Sequence, residues 1–134
     1  MLMSVVLKRI YEPAARADGY RVLVDRLWPR GLRKADAALD EWCKEVAPST
    51  DLRRWFGHDP QRWAAFRSAY RDELACCDQA VLARLRNQAE MTGLTLLFAA
   101  RDTEHCHALV LQAVLGGDYS EAGSGRSVSD PANG

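Results

Sequence analysis

No glycine-rich phosphate cradle is present: neither GxGxxG nor GxxxxGK[ST] occurs in the 134 residues. This excludes the usual dinucleotide and P-loop sites, and no cofactor is indicated. The four cysteines, Cys43, Cys76, Cys77 and Cys106, form no CxxC pair, so neither a zinc ribbon nor a thioredoxin motif is expected. No apolar run approaches the roughly 20 residues of a spanning helix, which argues against a membrane role. A secretory pattern is missing as well, because Lys8-Arg9 follows the apolar residues of Met1 to Val6 instead of preceding them. The expected location is the cytoplasm, with all four thiols reduced. Eighteen basic residues balance eighteen acidic ones, for a formal net charge of +0. Without a bulk positive field, nucleic acid is a poor candidate partner.

The chain does hold a good core. Hydrophobic residues make up 48% and charged residues 27%, ordinary values for a single globular domain. Its most informative stretch runs from Leu94 to Leu111. The apolar run Leu94 to Ala100, interrupted only by Thr95, is too short for a typical helix and reads as a strand buried on both faces. Polar Arg101-Asp102-Thr103 follows, with Asp102 or Thr103 expected to cap the next helix. The first turn of that helix would carry Glu104, His105, Cys106 and His107, and the helix would end near Val114.

Upstream, Val5 to Tyr11 reads as a first strand stopped by Pro13, and Tyr20 to Asp25 as a second, apolar until its polar end. Arg26-Leu27-Trp28-Pro29-Arg30-Gly31 comes next. Pro and Gly fix a turn there, placing two guanidinium groups on a stiff loop around an aromatic. Residues 38–46 fit two patterns. Leu39, Trp42 and Val46 have helical spacing, whereas Trp42, Lys44 and Val46 alternate as an edge strand does; Pro48-Ser49 favours the short strand. Ser49 can cap a helix that ends at Gly57, and Asp59-Pro60 starts another. In that second helix Trp63, Phe66, Tyr70 and Leu74 form one apolar stripe, the pattern of a core face. Gln79 to Met91 is a further amphipathic helix.

Strands separated by helices give an α/β fold: a single three-layer domain, with a small parallel or mixed sheet of about three to four strands and helices on both faces. The domain is expected over residues 1–116. The Gly/Ser-rich residues 117–134 read as a disordered tail.

In such a sheet, ligands bind beyond the carboxyl ends of the strands. Asp25-Arg26 ends one strand and Arg101-Asp102 another, so parallel strands would bring both pairs to one edge. Arg26, Arg30 and Arg101, with Thr103 and the following helix amides, would then form an anion site. Asp25 and Trp28 would support the arginines. His107 shares a helical face with Leu111 and Val114, so it points inward; it and Asp102 are the acid/base candidates. His105 and His107 are two apart and share no helical face, a poor metal pair, so no metal site is expected. Cys106 follows an Arg-Asp-Thr loop instead of a glycine-rich cradle, which disfavours a nucleophilic thiol.

Several blocks also carry a family likeness. Val24-Asp-Arg-Leu-Trp-Pro-Arg-Gly31, Ala47-Pro-Ser49, Trp55-Phe-Gly-His-Asp-Pro60 and Ala99-Ala-Arg-Asp-Thr-Glu-His105 resemble the YeaO-like proteins. The likeness extends over about Val5 to Leu115 in the same order. It implies an α/β domain of a bacterial family of unknown function. The Asp-Arg-Leu-Trp-Pro and Arg-Asp-x-x-x-Cys-His blocks are similar to signatures of the wider family, and both fall on the two strand ends above.

Two readings of function follow. In one, a small cytosolic protein binds a phosphate- or carboxylate-bearing small molecule, with hydrolase or transferase chemistry. In the other, a non-enzymatic module meets a protein or nucleic-acid phosphate through the same arginine edge. A concave pocket with a shifted His107 pKa favours the first, a flat arginine face the second.

Overall fold

The computed structural model describes residues 4–116; the tail expected from residue 117 onward lies outside them. Four strands form one sheet: β1 (Val5–Arg9), β2 (Tyr20–Leu23), β3 (Glu41–Trp42) and β4 (Leu94–Phe98). Their order is β1-β4-β2-β3, and every neighbouring pair is parallel. All five residues of β4 are buried, as a nearly all-apolar strand flanked on both edges and covered on both faces requires. Its one polar residue, Thr95, donates its hydroxyl to Asp18 O at 2.6 Å. Glycine is required where the chain enters β2. Gly19 has φ +66°, and a Cβ there would lie 2.5 Å from the Thr92 carbonyl oxygen and 2.6 Å from that of Gly93. The close approach lets Tyr20 N–H donate to Gly93 O at 3.0 Å, setting the register of β2 on β4.

The helices are α1 (Lys34–Ala37), α2 (Thr50–Phe56), α3 (Trp63–Cys76), α4 (Gln79–Met91) and α5 (His107–Gly116). The two sheet faces are covered unequally. Val22, Val24, Leu94, Leu96 and Phe98 meet the buried residues of α3, α4 and α5, among them Phe66, Tyr70, Leu85 and Leu111. The opposite face, with Ile10, Leu23 and Leu97, is closed by Ala37 of α1 and by Trp28, Leu32, Leu39 and Trp42. The three-layer α/β arrangement therefore holds, with one layer reduced to a loop and a four-residue helix. None of the described helices is long and apolar enough to cross a membrane.

The strands end about two residues earlier than expected, and α3 begins at Trp63 after a 3-10 turn at Pro60–Arg62. Two elements depart further from the sequence expectation. The third strand covers only Glu41–Trp42, and Lys44–Val46 is a 3-10 turn. Trp42 Nε1 donates to Asp25 O at 2.8 Å, and Val46 O accepts from the Tyr70 hydroxyl, which draws the chain off the sheet edge toward the helices. The last helix begins at His107, not after Asp102 or Thr103. The Asp102 carboxylate accepts from Glu104 N at 2.9 Å and His105 N at 3.1 Å. That local turn gives those amides a partner outside a helix, so the helical ladder starts several residues later.

Candidate functional site

Because β2 and β4 are parallel neighbours, their carboxyl ends deliver Asp25-Arg26 and Arg101-Asp102 to one sheet edge. A cleft of about 610 Å³ opens there. Of the expected site residues, Asp25, Arg26, Trp28, Arg30, Arg101, Asp102 and His107 line it. Thr103 is exposed and lies outside the lining. Arg53 and His58 join the lining, and neither was singled out from the sequence as a site residue.

The four arginines are not equivalent. Arg26 is half-buried, and its guanidinium is held by protein: Nε donates to Pro48 O at 2.9 Å and Nη2 to Ala47 O at 3.3 Å. It ties the loop after β2 to the entry of α2 while leaving its charge beside the cleft. No described residue pairs with the guanidinium of Arg30, Arg53 or Arg101. For Arg53 this is costly, because its Nε is buried and has no hydrogen-bond partner. Its place is fixed from below. Ser49 caps α2 by accepting from Leu52 N at 3.1 Å, and Glu73 of α3 clamps Ser49 through N at 2.8 Å and Oγ at 2.6 Å. That clamp holds the first turn of α2 against α3 and sets Arg53 into the cleft wall.

Asp25 has a different partner from the one expected. Its Oδ2 accepts from Ala99 N at 3.0 Å, locking the ends of β2 and β4 together. Its Oδ1 lies 3.3 Å from His107 Nε2, the nitrogen that also donates to Val24 O at 3.0 Å. Asp25 therefore supports the histidine, not the arginines. Trp28 likewise serves the fold, donating to Leu32 O at 2.6 Å and packing edge-on against Trp42 at 5.3 Å.

His107 faces inward as its helical position predicts, with only 14% of its side chain exposed and its ring 6.1 Å from that of Tyr70. Burial alone would push its pKa down. The Asp25 carboxylate and the Cys106 sulfur outweigh it and raise the pKa to about 10. His107 is thus an imidazolium through the neutral range. Tyr70 shows burial unopposed, and its hydroxyl titrates well above the usual range.

Asp102 is fully engaged in its own loop. Besides the two amides, its Oδ2 pairs with His105 Nδ1 at 2.8 Å, and the His105 imidazole and Glu104 N–H hold its carboxyl below the usual range. The His105 ring is seated edge-on against Trp63 at 5.6 Å. His58, on the rim, has φ +59° directly after Gly57 at +53°. Such a left-handed histidine is uncommon and is kept by the neighbouring turn, in which Asp59 N donates to Phe56 O at 3.0 Å. Among the described residues, no group of three or more His, Cys, Asp or Glu is placed to hold a metal ion.

The fold is a small parallel α/β domain with an arginine-lined cleft beyond its central strands. Residues 4–133 match the family described as the inactive DUF488-N3 subclade, and the chain belongs to that family. It is 51% identical to the uncharacterized protein YeaO of Escherichia coli (strain K12) over 109 residues, 81% of this chain and 94% of YeaO. The uncharacterized proteins Rv3073c of Mycobacterium tuberculosis (strain ATCC 25618 / H37Rv) and Mb3100c of Mycobacterium bovis (strain ATCC BAA-935 / AF2122/97) are each 45% identical over 113 residues, 84% of this chain and 94% of theirs. The YeaO resemblance of the strand-end blocks is therefore a true relationship. No solved structure matches the chain.

Proposed function

We propose that the cleft binds a small anionic molecule, phosphate- or carboxylate-bearing, and does not turn it over. Arg53 carries this reading: a guanidinium whose Nε is buried, with no protein acceptor, set in a concave wall beside Arg26, Arg30 and Arg101. A buried guanidinium N–H without an acceptor is destabilising, and an anion in the cleft would offset that cost with charge-assisted hydrogen bonds. Four guanidinium groups and the His107 imidazolium face only two carboxylates there: Asp102 is hydrogen-bonded to His105, and Asp25 is ion-paired with His107 at 3.3 Å, its Oδ1 without a hydrogen bond of its own. The concave shape suits a small molecule better than the exposed backbone of a macromolecule.

The acid/base candidates argue against turnover. A histidine raised to about 10 is a weak acid and no base near neutrality, so His107 acts as fixed positive charge. Asp102 spends its carboxylate on its own loop. The family description, an inactive subclade, agrees with a binding role.

The test is titration calorimetry with inorganic phosphate and with a dicarboxylate, in buffer free of other multivalent anions. Wild type should bind at least one of them, and Arg53→Met or Arg101→Ala should weaken binding about tenfold or more, the loss of one charge-assisted contact. Absence of binding by the wild type, with the protein folded, would overturn the reading.

A further inference from the structure

The charged groups are only part of the cleft wall. Phe56 of α2 and Phe66 of α3 lie in it, stacked on each other with centroids 4.3 Å apart, together with Leu27, Pro29, Ala99 and Ala100. Leu27 stands out, because a large apolar side chain at the cleft mouth is 59% exposed. It sits between Arg26, whose guanidinium is pinned to Pro48 O and Ala47 O, and Trp28, whose indole is pinned to Leu32 O. Its flanking residues are thus held in place while its own side chain stays open to solvent.

The volume points the same way. A cleft of about 610 Å³ falls within the roughly 300–1,000 Å³ range of organic-ligand sites. An inorganic anion on the arginines would leave most of it, and all of its apolar wall, filled by water.

Resting on the anion-binding reading, we infer that the natural ligand is an aromatic phosphate monoester of nucleoside monophosphate size, its phosphate on Arg53, Arg30 and Arg101 and its ring against Leu27 and the Phe56–Phe66 wall. A phosphate monoester suits the site better than a monocarboxylate, because three guanidinium groups without protein partners can share its two charges. Ring contact with apolar and aromatic side chains is tolerant of base identity, since every base has an apolar face.

The experiment compares the four common nucleoside 5′-monophosphates, ribose 5-phosphate and inorganic phosphate by calorimetry, on wild type and Leu27→Ser. Because Leu27 is exposed, the substitution leaves folding intact. At least one nucleoside monophosphate should bind wild type at least tenfold more tightly than ribose 5-phosphate. Leu27→Ser should weaken that nucleotide about threefold or more and leave ribose 5-phosphate unchanged. Equal binding of nucleotides and ribose 5-phosphate would overturn the aromatic inference while leaving the anion site standing. If neither they nor inorganic phosphate bind, the phosphate monoester inference is overturned, and the anion-binding reading falls with it when the dicarboxylate also fails to bind.

Discussion

Two charged clusters of this protein are built on the same sheet and treat arginine in opposite ways. On the face closed by α1, Arg21 is buried to 5% exposure and every part of it is matched. Its Nη1 pairs with Asp18 Oδ2 at 2.5 Å, Nε donates to Ala38 O at 2.8 Å and Nη2 to Ala37 O at 3.1 Å. Asp18 in turn accepts from Lys8 at 3.1 Å and from Ala15 N at 3.0 Å. Burial would raise the Asp18 pKa, but these donors outweigh it and hold the carboxyl below its usual value. At the carboxyl edge of the same sheet, Arg53 has a buried Nε and no acceptor, and Arg30 and Arg101 extend without partners. A saturated cluster holds a fold together. An unsaturated one is the arrangement that the proposed anion site requires.

The largest expected effect is on the saturated side. Arg21→Met leaves Asp18 short of a partner and frees two carbonyls at α1, so unfolding should become easier by about 3 kcal/mol or more. That is a fall in Tm on the order of 10 °C, measurable by calorimetry or circular dichroism. If Arg21→Met were neutral, saturation would not mark a structural role and the contrast would break.

His107 stands between the clusters, being partnered yet inside the cleft. His107→Gln should cost about 2 kcal/mol near neutral pH, the scale of a charged hydrogen-bonded contact. Its folded pKa is raised, so its contribution is fully present below the ordinary value of 6.5 and is lost as pH rises through about 10. Denaturation curves of wild type and variant should therefore converge at alkaline pH. Curves that run parallel from pH 6 to 10 would show that the imidazolium contributes nothing. Smaller again, Arg101→Ala should change the stability of the free protein by no more than about 0.5 kcal/mol, as expected for an exposed side chain without a partner.

Much of this was legible in the sequence because the signals were strong and local. Apolar runs broken by Asp25-Arg26 and by Arg101-Asp102 marked two buried strands and their polar ends, and parallel pairing placed those ends together. The inward position of His107 followed from helical spacing alone. Arg53 was not legible. Within Asp51-Leu-Arg-Arg-Trp-Phe56 it looks like any solvated helix residue, and only the Ser49–Glu73 clamp, which joins residues 24 apart in sequence, turns it into the cleft. The start of α5 was misplaced for a related reason. Asp102 is a sound capping residue by type, but its side chain takes the Glu104 and His105 amides and the His105 ring in a turn of its own. The partner of Asp25 was also beyond reach, since choosing between arginine and histidine needs the three-dimensional path of α5.

The most direct test sets Arg53→Met beside wild type in thermal unfolding, each without anion and with inorganic phosphate or a nucleoside monophosphate. Without anion, Arg53→Met should be as stable as wild type or slightly more so, because it removes an unmatched buried donor. At a hundredfold excess of ligand over its dissociation constant, wild type should gain about 2.7 kcal/mol and the variant far less. A variant that is destabilised like Arg21→Met, beside a wild type that gains nothing from any anion, would contradict the account and make Arg53 a structural residue.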